Sequence, residues 1–131
     1  MSALSDSWGT GRSLIRFAPT AARDPVAVSW YGRMERDAVT PGGLLNMVRT
    51  SAQLDYSTYL RKLNVPTLIL HRRDEVVPVE AARWMASQIP GAELIELEGE
   101  DHLVWWGNTA AVVDEVRRFA GRARFTTEFR E

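Results

Sequence analysis

A three-part pattern between Asn64 and Gly99 constrains this chain most. A continuous apolar run, VPTLIL (65–70), ends in the charged cluster HRRDE (71–75). A helical stretch, VEAARWMASQI (79–89), follows, then PG at 90–91, then a second apolar run, AELIELEG (92–99). An apolar run without alternation predicts a strand covered on both faces, as in a parallel sheet. Pro66 is tolerated there because it falls at the strand start. In the intervening stretch Ala81, Ala82, Met85 and Ile89 share one helical stripe. Glu93, Glu96 and Glu98 interrupt the second run, which predicts a more exposed strand at a sheet edge. Strand, helix, strand is then a parallel unit with a right-handed crossover. One more helix closes it: NTAAVVDEVRRFAG has Asn108 as cap, a stripe of Val112, Val116 and Phe119, and Gly121 as its stop. The tail RARFTTEFRE (122–131) reads as a frayed end or linker.

Before residue 64 the chain reads as helices joined by short breaks. DPVAVSWYGRMERDA opens with Asp24 as N-cap and Pro25 at the first helical position. TPGGLLNMVRTSAQL repeats that signature with Thr40 and Pro41, and Leu44, Leu45, Met47, Val48 and Leu54 give it an apolar side. DYSTYLRKL predicts a short helix capped by Asp55, and Ser13 to Phe17 another. The expected organisation is a helical segment at 1–62, a β-α-β-α segment at 63–121 and a tail at 122–131.

The bulk numbers narrow the function classes. The 131 residues suffice for one domain; 45% are hydrophobic and 25% charged, as in ordinary globular proteins. A net charge of −1 gives no field favouring nucleic acid or an anionic membrane. With no cysteine, disulfides, thiolate catalysis and cysteine-based zinc sites are excluded. The opening residues MSALSDSWGTGRSLIRFAP lack the apolar core of a secretory signal, and no run approaches the ~18 residues of a membrane span. The expected compartment is the cytoplasm. Two histidines beside Asp74 and Glu75 match no metal-ligand spacing, so neither metal nor cofactor is expected.

In a parallel unit the C-terminal ends of both strands lie on one sheet edge, where open α/β folds bind ligands. Asp74 follows the first end and His102 the second. Neighbouring strands are about 4.8 Å apart, so the two side chains can meet across adjacent loops. A carboxylate on one imidazole nitrogen fixes the tautomer, and the other nitrogen can then take a proton from a hydroxyl. Alone, Asp74 beside Arg72 and Arg73 would read as a solvated loop carboxylate, and His102 as an exposed loop histidine; together they form a candidate catalytic pair. Asp101 ranks below Asp74 as the acid because it adjoins His102 in sequence. His71 reads as strand-end packing. Trp105, Trp106, Trp30 and Tyr31 are candidate substrate-binding residues, and each is also an ordinary packing residue.

The segment NVPTLILHRRDEVVPVEAARWMASQIPGAELIELEGEDHLVWWGN resembles the C-terminal part of the α/β-hydrolase fold. It is most similar to a branch found fused to class III adenylate cyclases or regulatory domains in actinobacteria. Asp74, Val76, Val77 and Pro78 match that branch's acid loop; Asp101, His102, Leu103, Trp105 and Gly107 match its histidine loop. SWGTGRSLIRFAPTAARDP resembles the helical cap that precedes them. The resemblance implies a partial α/β-hydrolase: a cap-like segment, then a parallel β-α-β-α unit, with the front strands missing. Two departures stand out. The acid loop is one residue short, lacking the residue that precedes the acid. The Gly-x-Ser-x-Gly nucleophile elbow occurs nowhere; the nearest sequence, GRSLI with Ser13, lacks the second glycine. The resemblance therefore implies the acid–base half of a serine ester hydrolase, not catalytic on its own, with a small ester or acyl group as ligand. The alternative is a non-catalytic sensing or interaction module, linked to cyclase or transcriptional regulation. The uncovered strand edge predicts self-association or a partner chain supplying the front half.

Overall fold

The computed structural model describes residues 6–126. Its helices and strands are α1 (Leu14–Phe17), α2 (Pro25–Ala38), α3 (Pro41–Ala52), α4 (Ser57–Leu60), β1 (Leu68–Arg72), α5 (Val79–Gln88), β2 (Glu93–Leu97) and α6 (Thr109–Thr126), with a 3-10 turn at Ala21–Arg23. The chain divides into two compact units, Met1–Tyr56 and Ser57–Glu131.

In the first unit the expected caps form. The Asp24 carboxylate accepts from the Val26 N–H at 2.8 Å, and Thr40 Oγ1 from the Gly43 N–H at 3.2 Å. Each helix then starts on its proline, whose missing N–H costs nothing there. The unit is organised around Glu35, which is fully buried on α2. Its Oε2 accepts from the N–H groups of Gly9 and Gly11 at 2.9 and 3.0 Å, and Ser13 Oγ donates to Oε1. These charge-assisted bonds offset the cost of burying the carboxylate. They require the loop to lie on the helix: a Cβ on Gly11 (φ 77°) would stand 2.0 Å from the Val28 carbonyl oxygen. Leu14, Ala18, Ala21, Tyr31 and Leu44 form the apolar core of this unit.

The second unit is the expected β-α-β-α. β1 and β2 pair in parallel, with Leu68 opposite Glu93 and Arg72 opposite Leu97. Together with the helices before it, this is a partial α/β-hydrolase arrangement built on a two-stranded, unclosed sheet. β1 starts at Leu68, not Val65, because Pro66 has no N–H to give the ladder; the exposed Val65 bonds instead through its carbonyl to Thr67 Oγ1. It also runs further than expected, to Arg72. On β2, Glu96 takes hydrogen bonds from Arg83 at 2.7 and 2.9 Å and from Arg73 at 3.3 Å. Those bonds, Arg83's foremost, hold its carboxyl below the ordinary glutamate range. α4 is a single turn, shorter than DYSTYLRKL suggested. Asn108 caps α6 as expected, its Oδ1 accepting from the Ala111 N–H at 3.2 Å, but the helix continues through Gly121 to Thr126. The first part of the expected tail is therefore helix, and residues 127–131 lie outside the described residues.

Coverage of this sheet is incomplete. Among the described residues, the buried apolar side chains of the second unit are Ala82 and Ile89. Met85 on α5 is 40% exposed and Val116 on α6 is 49% exposed, although both lie on the stripes expected to face a core.

Candidate functional site

The parallel pairing brings the two loops expected to carry chemistry to one sheet edge. The ladder continues past the strands: the Arg73 N–H donates to the Leu97 carbonyl at 3.0 Å, and the Asp74 N–H to that of Gly99 at 3.1 Å. The acid loop and the histidine loop are thus tied together by backbone just before His102.

The carboxylate that reaches His102 is Glu75. Its Oε1 lies 2.8 Å from His102 Nδ1, with the Glu75 side chain 7% exposed and that of His102 42% exposed. Asp74, the residue expected in this place, has an exposed side chain and joins the site through its backbone N–H. The shortened loop accounts for the exchange. The turn after β1 closes early, with the Glu75 N–H directed to the Arg72 carbonyl at 3.4 Å, so the next residue faces the imidazole. Glutamate's extra methylene supplies reach. An ionised carboxylate only accepts hydrogen bonds, so a carboxylate at this distance favours the His102 tautomer that carries its hydrogen on Nδ1.

His71, read from sequence as strand-end packing, and Arg72, given no role there, both belong to this site. His71, at the end of β1, is buried, and its Nε2 lies 3.1 Å from the same Glu75 oxygen. That contact is off the N–H direction, so neither ring nitrogen has a hydrogen-bond partner among the described residues. Arg72 is 4% exposed. Its guanidinium donates to the carbonyls of Asp101 at 2.6 Å and of Leu103 and Asn108 at 3.4 Å, so the histidine loop is wrapped around it. The wrapping is tight. A Cβ on Gly99 (φ 126°) would meet the Arg72 stem at 3.1 Å, and one on Gly107 (φ 68°) would stand 2.4 Å from Asp101 Oδ2. Asp101 is buried in this wrapping. The legible signal for Arg72 was the pair of glycines bracketing His102.

A cavity of about 360 Å³ opens here, lined by apolar Ile69, Val77, Met85, Val104 and Val112 around His71, Glu75 and His102; among the described residues no serine lines it. A larger cavity of about 590 Å³ lies between Leu63, Pro66, Phe119 and Arg122, but its one carboxylate, Glu93, is bound by Arg122 at 2.6 and 2.8 Å. The first cavity is therefore the candidate site. Neither Trp105 nor Trp106 is among its lining residues; their rings tilt at 46° with centroids 6.0 Å apart, and Trp105 is 55% exposed. Trp30 and Tyr31 lie on α2 in the first unit, Trp30 exposed and Tyr31 buried. Burial, and then the Glu35 charge, push the Tyr31 phenol above the ordinary tyrosine range. Ser13 is buried against Glu35 at the start of α1, not at a strand-to-helix turn. Among the described residues no cluster of three histidine or acidic side chains could hold a metal ion, and no helix is long and apolar enough to cross a membrane.

Comparison with known proteins agrees with this architecture. The family model described as "TAP-like protein", an α/β-hydrolase family, matches residues 46–125, more than half of the chain. The non-heme chloroperoxidase CPO-A1 of Kitasatospora aureofaciens is 39% identical over 75 residues, which are 56% of this chain and 26% of that protein. Bromoperoxidase from Bacillus anthracis superposes with a TM-score of 0.70 at 20% identity, covering 91% of this chain and 43% of its own. The esterase RhEst1 from Rhodococcus sp. ECU1013 gives 0.64 at 21% identity, with 87% and 41% covered. The chain thus spans less than half the length of each. These relatives are esterases and peroxidases of one fold, and nothing in them connects the chain to cyclases or regulators.

Proposed function

The chain belongs to the TAP-like protein family of α/β-hydrolases, and from that premise we propose that it supplies the acid and base of a serine ester hydrolase whose nucleophile lies outside this sequence. The observation that carries the reading is the 2.8 Å contact between Glu75 and His102 Nδ1 at the mouth of an apolar cavity. In this reading Glu75 holds the imidazole in the Nδ1–H tautomer, the role first expected of Asp74. His102 Nε2 takes the hydroxyl proton of an incoming serine as that oxygen bonds to the ester carbonyl carbon. The resulting imidazolium returns the proton to the departing alcohol, and a water molecule repeats the cycle to free the acid. The cavity volume suits a small acyl group. Trp105 and Trp106 follow His102 in sequence and are proposed to meet the ester once the front half is in place; Trp30 and Tyr31 are retained as candidates on the cap-like segment. We take the cytoplasm as the compartment, in keeping with the cysteine-free sequence.

The interaction reading has its own support, in the free edge of β1. Residues of a parallel strand direct both backbone groups to the same neighbour. The Thr67 carbonyl and the Arg73 N–H bond to β2, so Leu68 and Leu70 direct theirs to the other side. A front-half strand, or a second copy of the chain, would complete that ladder.

Complementation tests the enzymatic reading. Mixing the chain with a front-half hydrolase fragment that carries Gly-x-Ser-x-Gly is expected to produce p-nitrophenyl acetate hydrolysis that neither part shows alone. His102→Ala should lower that rate by about 10³-fold or more. Restored activity that is indifferent to His102→Ala would refute the assignment.

A further inference from the structure

We propose that His71 is a positioning residue for the Glu75–His102 pair: a buried imidazole whose Nε2–H holds the Glu75 carboxylate where it keeps the His102 proton on Nδ1. The inference rests on the acid–base reading above and extends it to a third side chain.

Three observations carry it. First, the His71 side chain is 8% exposed, and both of its ring nitrogens are buried without a hydrogen-bond partner among the described residues. Such groups are rare in folded proteins, and each calls for an explanation. Second, its Nε2 lies 3.1 Å from Glu75 Oε1, the same oxygen that His102 Nδ1 approaches at 2.8 Å. One carboxylate oxygen has room for two donors. The distance is already that of a hydrogen bond, so alignment needs rotation of the ring and no translation. Third, the two groups differ in how firmly they are held. His71 sits within β1, in register with Glu96 of β2, whereas Glu75 sits in a turn closed by a long 3.4 Å bond. A carboxylate on a turn gains a fixed direction by bonding to a side chain on a strand.

The neighbouring cations do not compete for this oxygen. The Arg72 guanidinium is committed to the carbonyls of Asp101, Leu103 and Asn108, and Arg73 to Glu96. The other ionisable group lining the cavity, Asp101, is buried within the histidine loop.

The experiment is long-range ¹H–¹⁵N correlation of the imidazoles in the uniformly labelled chain. With two histidines in the sequence, each signal is assigned by its own substitution. The wild type is expected to show His102 as the Nδ1–H tautomer. His71→Phe keeps a buried ring but no donor, and should shift His102 toward the Nε2–H form that free imidazole side chains favour. His71→Gln, which restores a donor, should bring the Nδ1–H form back. If His71→Phe gives no folded amide spectrum, His71→Met carries the same comparison. A purely structural role for His71 predicts an unchanged His102 tautomer in the folded Phe or Met variant, and that result would overturn the proposal while leaving the Glu75–His102 pair intact. A wild-type His102 protonated on Nε2 would overturn both.

Discussion

Arg72 shows how a side chain to which the sequence assigned no role can shape the site. In HRRDE it is one of five polar side chains in a row. In the structure it is the post around which residues 99–108 are wound, and His102 sits on that loop. Arg72→Met keeps the apolar stem and removes the donors, leaving three carbonyls without their charged partner. We expect a loss of about 2–3 kcal/mol, from hydrogen bonds to a charged group. Denaturant unfolding would show it, and hydrogen exchange would place the lost protection at residues 101–108. Unchanged stability and unchanged exchange would contradict this role. The carboxylate beside the imidazole differs from the expected one for a related reason. Asp74 and Glu75 are adjacent carboxylates, and which one faces the imidazole is set by turn closure, through the Glu75 N–H to Arg72 carbonyl bond. Sequence showed that the loop was one residue short; it did not show that the shortening would rotate the next residue into the site.

At the scale of elements the reading held where chemistry is local. Asp24, Thr40 and Asn108 each cap a helix through their own side-chain oxygen, and a cap depends on residues two or three positions away. The parallel pairing of β1 and β2 was legible because an apolar run, a helix and another apolar run leave few other arrangements. It failed at element boundaries: β1 starts after Pro66 and runs on to Arg72, and α6 runs through Gly121. The free edge of β1 leads to a prediction. With Leu68 and Leu70 directing backbone groups away from β2, and with a net charge of −1 offering little repulsion, the isolated chain should self-associate. Light scattering coupled to size exclusion is expected to show an average mass that rises with concentration. One monomeric species with a sharp, cooperative melt at every concentration would contradict it.

For the whole molecule, the two units differ in completeness. Residues 1–56 enclose a buried Glu35 bound by three donors, with apolar side chains packed nearby. Residues 57–131 carry the Glu75–His102 pair on a two-stranded sheet whose helices leave Met85 and Val116 partly bare. An acid and a base without an activated nucleophile lack the group that forms the covalent intermediate. Ser13, the nearest sequence likeness to an elbow, spends its hydroxyl on Glu35. The central claim, an acid–base pair in a chain that lacks its own nucleophile, is tested most directly by treating the 131-residue chain with a fluorophosphonate and measuring its intact mass. The account predicts no adduct, and no p-nitrophenyl ester hydrolysis above the buffer rate. Stoichiometric labelling of any serine, Ser13 included, would contradict it.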